Sequence, residues 1–404
     1  MTQIQTLRAR APVISSAELE KDPHGAFRRW RAEVPVLERE DGVCIVLRAA
    51  DVEQLLTDPR TKQIEGADYA RMRGVPPGPL HELVAESLLL SNGDTHRRRR
   101  GSMSHALAFR AVEALRPFIH DLAHSLIDQF EMDGEAELVS QFAGPLPPLV
   151  ISHLLGAPPE DASAFAQMVY QVSPAFAPML PGEDKDQMVA GAVELTEYVE
   201  LQLAAAAAGS TQSLVLSDVL TAKLEGELSA AETRSQLSTL IIGGSDTTRA
   251  AMAVQVGLLL ANGAPWRRIG NDRELARAAV AEALRYEPSV GSVPRFSLED
   301  IELDGGFIPA GRLVFLSTLS AMRDPARFKN PDVFSIDRQD HARWHMVFGG
   351  GPHRCIGEAL GRMELEEGLM ALSQRLPGLR LSGPPPVLQG YGGIRRVPEL
   401  KVSW

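Results

Sequence analysis

The sequence predicts a mainly α-helical protein with a smaller β-rich region. Three observations carry that reading. The composition is aliphatic and poor in aromatics, 44% hydrophobic with only 5% Phe, Trp and Tyr. Ser229-Ala230-Ala231-Glu232 is a capping box, and the helical pattern it opens runs to Asn262-Gly263, with Pro265 closing it. Strand signals concentrate in two stretches, residues 30–50 and 289–320. The 404 residues exceed one ordinary core, yet no linker interrupts the composition, so residues 1–404 read as one large lobed domain.

Taken in order, His24 to Ala32 reads as a helix. Val34 to Leu37 and Val43 to Leu47 flank Glu40-Asp41-Gly42, a hairpin signal, and Cys44 among apolar neighbours reads as a buried small hydrophobe. Asp51 to Thr57 suggests a short helix stopped at Pro59. Glu65 to Pro79 reads as a loop, because Gly74, Pro76, Pro77, Gly78 and Pro79 cluster there. Asp94 is a candidate N-cap for a helix carrying His96, Arg97, Arg98, Arg99 and Arg100. Consecutive positions fan around a helix, whereas His96 and Arg100, at i and i+4, share a face. Phe109 to Gly156 alternates helical patterns around a Pro147-Pro148 break. Helices over Asp161 to Val172 and Gln187 to Ala208 bracket Ser173 to Asp186, an apolar, proline-broken stretch that suits either a lid over an apolar cavity or a corner of the core. Gly209 to Ser213 is a short polar linker.

Midway along the long helix sits Gly243-Gly244-Ser245-Asp246-Thr247-Thr248. Each interior glycine costs roughly 1 kcal/mol relative to alanine. An acid among apolar neighbours costs more unless it is paired or wet. The glycines offer a place to open the backbone ladder to water or a ligand. Glu274 to Tyr286 is helical, with Glu282 and Arg285 on one face. Ser289 to Ser320 is strand-like with a turn at Asp304-Gly305-Gly306. Pro384 to Pro386 break the chain, and a glycine-rich turn spans Leu388 to Ile394.

The stretch richest in chemistry is Phe348-Gly349-Gly350-Gly351-Pro352-His353-Arg354-Cys355-Ile356-Gly357, followed at once by a helical pattern through Leu360, Met363, Leu365, Leu369, Met370 and Leu372. Cys355 therefore lies at or just before a helix N-terminus, beside basic His353 and Arg354, where thiolate is favoured. The glycines let something flat and bulky approach the backbone.

Phe348, Gly351, Cys355 and Gly357, spaced Phe-x-x-Gly-x-x-x-Cys-x-Gly with a basic residue two before the cysteine, resemble the haem-binding loop of the cytochrome P-450 family. The resemblance extends in order to His96-x-x-x-Arg100, to Gly243-Gly244-x-Asp246-Thr247, and to Glu282-x-x-Arg285 with the segment Phe328 to Arg338. It implies the triangular, mainly helical fold of that family, with a long central helix over a haem b. It implies Cys355 as the iron ligand, and His96, Arg100, Arg295 and His353 as holders of the haem propionates. Val290 to Val293, the turn Leu388 to Ile394 and the region Glu65 to Pro79 would lie around the substrate. Asp246 and Thr247 would deliver protons during dioxygen activation. Glu282, Arg285 and Arg338 would support the fold and the haem loop.

Reductive activation of O2 and insertion of one oxygen atom into an apolar small organic substrate is the reaction the resemblance implies. Electrons would come from a separate ferredoxin and ferredoxin reductase, an acidic ferredoxin docking near the solvent-facing arginines among Arg97, Arg98 and Arg99, with Arg354. The alternatives are a peroxide-dependent peroxygenase, whose family members usually lose the acid–alcohol pair, and a non-catalytic haem-thiolate sensor. The net charge of −11 argues against nucleic acid or an anionic membrane as main partner. Two cysteines, Cys44 and Cys355, exclude a disulfide framework and four-cysteine zinc or iron–sulfur sites. No apolar run reaches the ~18 residues of a membrane span, and Met1 to Ser15 has no signal-peptide core, so a cytoplasmic protein without a membrane anchor is expected.

Overall fold

The computed structural model describes residues 11–158, 161–176, 185–341, 345–397 and 399–404. Helices dominate, and the capping box at Ser229 opens the longest of those described, Ala230–Ala261. Ser229 Oγ accepts from the Glu232 amide and the Glu232 carboxylate accepts from the Ser229 amide. With 32 residues it is about 48 Å long and crosses the core. Helices Leu146–Leu154, Ala162–Val172, Lys185–Ala207, Arg273–Tyr286 and Glu358–Arg375 pack against it. Two large apolar clusters meet along its length, one around Ile241 and Phe165, the other around Val254 and Leu369. No helix among the described residues is long and apolar enough to cross a membrane.

The main sheet has six strands, in the order Val13–Ile14, Val36–Arg39, Cys44–Val46, Leu313–Ser317, Ser292–Ser297 and Thr61–Lys62. The hairpin expected around Gly42 forms, with Val36 opposite Val46 and Gly42 at φ 89°. Cys44 is buried on its second strand, as its apolar neighbours suggested. Further strands lie outside the two expected regions: Glu135–Glu137, Arg380–Leu381 and Lys401–Ser403 form a separate three-stranded sheet.

Several local expectations change. Residues Gly66–Arg73, expected as loop, form a helix, because the glycine and proline cluster begins only at Gly74, whose φ of 61° ends it. Gly66 is needed there: a Cβ would lie 2.4 Å from the Val84 carbonyl oxygen of the next helix, Pro79–Ala85. Asn92, not Asp94, is the N-cap residue of Gly93–Ser104, and Asp94 pairs instead with Arg97 one turn on. Pro147 and Pro148 do not break a helix but occupy the first turn of Leu146–Leu154, where no amide donor is needed. The helix Leu214–Leu224 had no counterpart in the sequence reading. The expected lid over Ser173 to Asp186 lies mostly outside the described residues.

Two ion-pair assemblies lock the frame. Glu282 and Arg285 are fully buried, joined by bonds of 2.7 and 2.9 Å. Arg338 approaches Glu282 at 3.2 Å, and Arg285 also donates to the carbonyls of Met322 and Pro331. Glu287 gathers His24, Arg323 and Arg395, and Arg395 donates onward to Leu388 and Gly390 carbonyls, fixing the turn at residues 388–394. Removing one partner of a fully buried pair leaves the other charge unpaired. Glu282→Ala should therefore destabilise the protein by about 3–5 kcal/mol in urea unfolding, and a loss below about 1 kcal/mol would contradict the pairing.

Candidate active site

Exposure of Gly243 in the otherwise buried middle of the central helix, and of Cys355 in the loop before Glu358–Arg375, marks the site as a hollow between the two. Gly243 lies mid-helix between buried Ile242 and buried Ser245, yet it is exposed. A Cβ on Gly243 would meet nothing within 4 Å. Gly244 differs: a Cβ there would lie 2.6 Å from Ile151 Cδ1, so this glycine admits the neighbouring helix Leu146–Leu154. The expectation that the glycines open the backbone ladder is not met, because Ala230–Ala261 is helical throughout. The glycines remove side chains rather than hydrogen bonds.

Facing them is the cysteine loop. Gly349 and Gly351 take φ of 70° and 60°, which glycine adopts without strain. They bend the chain so that the Cys355 amide donates to the Phe348 carbonyl at 2.8 Å. Gly351 also lets the loop pass Thr57, whose Cγ2 would lie 2.8 Å from a Cβ. Arg362 covers the Phe348 ring at 4.8 Å, and Arg354 pairs with Glu358. Gly357 is the N-cap residue of Glu358–Arg375, so Cys355 sits just ahead of the helix, as expected.

The expected bias of Cys355 toward thiolate meets an opposing influence. The residue is exposed toward the hollow, but its thiol is packed among protein atoms. Burial pushes the thiol up, against the Gly357 amide hydrogen bond and the charges of Arg100 and Arg354. Desolvation thus outweighs the helix end and the cations.

Four basic side chains converge at one edge. His96 and Arg100 come from Gly93–Ser104, Arg295 from the strand Ser292–Ser297, and His353 from the cysteine loop. The His96 and His353 rings lie 4.1 Å apart. His96 is buried, and its Nε2 has no hydrogen-bond partner. Arg295 is buried and donates to the carbonyls of Pro294 and Leu56, at 2.9 and 3.4 Å. Burial pushes Arg295 down to about 10. Burial, with the charges of His96, Arg295 and Arg100, pushes His353 down to about 3. Among the described residues no carboxylate is hydrogen-bonded to any of the four. A ligand bearing two carboxylates and a flat body fits this set.

On the central helix Thr247 donates from Oγ1 to the Gly243 carbonyl at 3.0 Å. Asp246 is buried and paired, as the cost of an apolar acid demands. Its partners are Arg249 and, at 2.8 Å, the Ser173 hydroxyl. The sequence reading missed both; Arg249, three residues on, was the visible signal. Gly291 joins the turn beyond Leu388: its amide donates to the Gly393 carbonyl at 2.8 Å, and Val290 bridges to Ile394. Arg97, Arg98 and Arg99 do not form a free basic patch. Arg97 pairs with Asp94, Arg98 with Glu232, and buried Arg99 with Glu86 and Glu232.

A family model for cytochrome P450 matches residues 268–387. A plant-inducible cytochrome P450-pinF1 of Rhizobium radiobacter is 40% identical, covering 96% of this chain and 91% of its own. The nocardicin C N-oxygenase of Nocardia uniformis subsp. tsuyamanensis is 34% identical over 95% of this chain and 96% of its own. The crystal structure of CalO2 superposes with a TM-score of 0.88 at 29% identity, covering 96% of this chain and 97% of that one.

Proposed function

The chain belongs to the cytochrome P450 family and is a monooxygenase of that family; from this premise we propose that Cys355 is the iron ligand of a haem b, and that the substrate is an apolar small organic molecule. The nocardicin C N-oxygenase, by its name, places oxygen on a small organic compound, in line with that substrate class. Electrons come from a separate ferredoxin and its reductase. The basic surface first expected to receive the ferredoxin is largely neutralised within the chain, so its docking does not rest on Arg97 to Arg99.

The observation that carries the cofactor reading is the edge cluster of His96, Arg100, Arg295 and His353, which no carboxylate of the described residues neutralises, beside the glycine pair Gly243-Gly244 of the central helix. The four donors would hold the two propionates. Gly243 would leave room for the ring, and Phe348, Gly351 and Gly357 would shape the loop beneath it. The haem, when bound, supplies reductive activation of dioxygen and transfer of one oxygen atom. Everything else falls to the chain. As the iron ligand Cys355 Sγ would bind as the thiolate, its proton released to solvent, and the Gly357 amide hydrogen bond would stabilise that charge. Thr247 Oγ1, returned to the Gly243 carbonyl at rest, can turn to donate into the hollow. Asp246, a carboxylate that accepts from Arg249 and Ser173, would relay a proton rather than store one. The pairs Gly291 with Gly393 and Val290 with Ile394 tie the strand to the C-terminal turn, beside the proposed substrate space.

Three measurements test this reading. Cys355→Ser should abolish the red-shifted carbon monoxide band of the reduced protein, while Cys44→Ser keeps it; the reverse result would refute the ligand assignment. Arg100→Ala and Arg295→Ala should each speed haem loss to apomyoglobin by about tenfold or more, the worth of a charge-assisted hydrogen bond, whereas unchanged loss rates in both would remove them from the propionate set. A spin-shift screen over terpenoids, steroids, fatty acids and aromatics should identify a substrate. With it, Thr247→Ala should keep haem reduction but lower product per NAD(P)H by about tenfold, with hydrogen peroxide making up the difference. Wild-type coupling in that variant would reduce Thr247 to a packing residue.

A further inference from the structure

Asp246 is held more firmly than an acid buried in a helix needs to be. Ser173 Oγ donates to its Oδ2 at 2.8 Å, and Arg249 Nη2 donates to its Oδ1. Arg249 is itself fixed. Its guanidinium lies 3.8 Å from the centre of the Tyr170 ring. The Tyr170 hydroxyl donates to the Gly144 carbonyl at 2.8 Å, which sets the plane of that ring. The Arg249 stem runs past Gly144, where a Cβ would lie 3.9 Å from Arg249 Cδ. The carboxylate thus has a donor on each oxygen, and one of those donors is stacked and braced from a second helix, Ala162–Val172. A lone lysine in this place would supply charge but neither the planar fork nor the stacking.

We infer that Arg249 is the positioning residue for Asp246, with Ser173 as its counterpart on the other oxygen and Tyr170 as the brace. This rests on the reading of Asp246 as the proton-handling acid. A carboxylate that must pass a proton repeatedly loses rate when it is free to swing, because orientation is a large part of what a positioned acid contributes. Arg249 acts through Asp246.

The test uses the haem-loaded protein with a plant-type ferredoxin and its reductase, following NADPH oxidation without added substrate in H2O and D2O. Arg249→Gln should slow oxidation by about tenfold and enlarge the solvent isotope effect toward that of Asp246→Asn. Arg249→Lys should recover part of the rate, and Arg249→Gln should add nothing in the Asp246→Asn background. Ser173→Ala, a milder change, should shift the isotope effect in the same direction should Arg249→Gln fold poorly. Independently of turnover, urea unfolding of the two single variants and the double variant should be non-additive. If Asp246→Asn alters rate and isotope effect while both Arg249→Gln and Ser173→Ala leave them at wild-type values, the inference is overturned and the acid reading stands. If Asp246→Asn also leaves both unchanged, the acid reading falls and the inference falls with it.

Discussion

The structure depends on a set of basic groups that cannot satisfy one another. His96, Arg100, Arg295 and His353 meet at one edge of the hollow, with no carboxylate among the described residues to neutralise them. Burial pushes each of them down; for His353 the charges of His96, Arg295 and Arg100 add to it and it falls to about 3, while burial alone brings Arg295 to about 10. A cluster of this kind weakens the empty protein and strengthens the loaded one. A dianionic ligand that binds only the folded chain then contributes to stability by mass action. The four residues come from a helix, a strand and a loop far apart in sequence, so their meeting reports that all three are in place.

The opposite wall is set by absence of side chains. Gly243 leaves the hollow open, and Gly244 lets the helix Leu146–Leu154 close in behind. Adjacent residues of one chemistry therefore serve opposite ends, one making space and the other removing it. The frame that keeps the two walls apart is ionic rather than apolar at its critical joints. Glu282 with Arg285 and Arg338 anchors the segment leading to the cysteine loop, and Glu287 with Arg395 anchors the C-terminal turn. Buried pairs of this kind contribute modestly to net stability but are strongly penalised when half-removed, which makes them good keepers of geometry.

Much of what is encoded within a few residues was legible. The Ser229 capping box, the Gly42 hairpin and the helix start after Cys355 are local, and each forms where the sequence places it. The partners in the Glu282 assembly could be named because the family motif fixes their order. Among the features missed, four have a long-range reason. The helix Gly66–Arg73 is stabilised by close packing on Pro79–Ala85, against local loop signals. The central glycines answer to an external helix and an internal cavity, not to their own backbone. Arg97 to Arg99 read as a free basic run until Glu86 and Glu232 fold against them. Cys355 reads as a thiolate from its neighbours, but the surrounding protein that desolvates it cannot be seen in the sequence.

The same distinction bears on the acid and the alcohol of the central helix. The sequence requires that Asp246 be paired or wet; it does not say which. The structure pairs it, through Arg249 three residues on and Ser173 at a separation of 73 residues. Thr247 is its immediate neighbour, but successive residues on a helix point about 100° apart. Thr247 turns to the Gly243 carbonyl at the hollow, while Asp246 turns to the helix Ala162–Val172 and the residues after it. Adjacency in sequence therefore does not give a direct contact between the two groups. On the proposed relay, a proton passing between Asp246 and Thr247 would need a bridging water or a turn of the carboxylate away from one of its donors. The strength with which Arg249 and Ser173 hold those two oxygens decides between these routes: a tightly held carboxylate favours the water, and a loosely held one favours the turn.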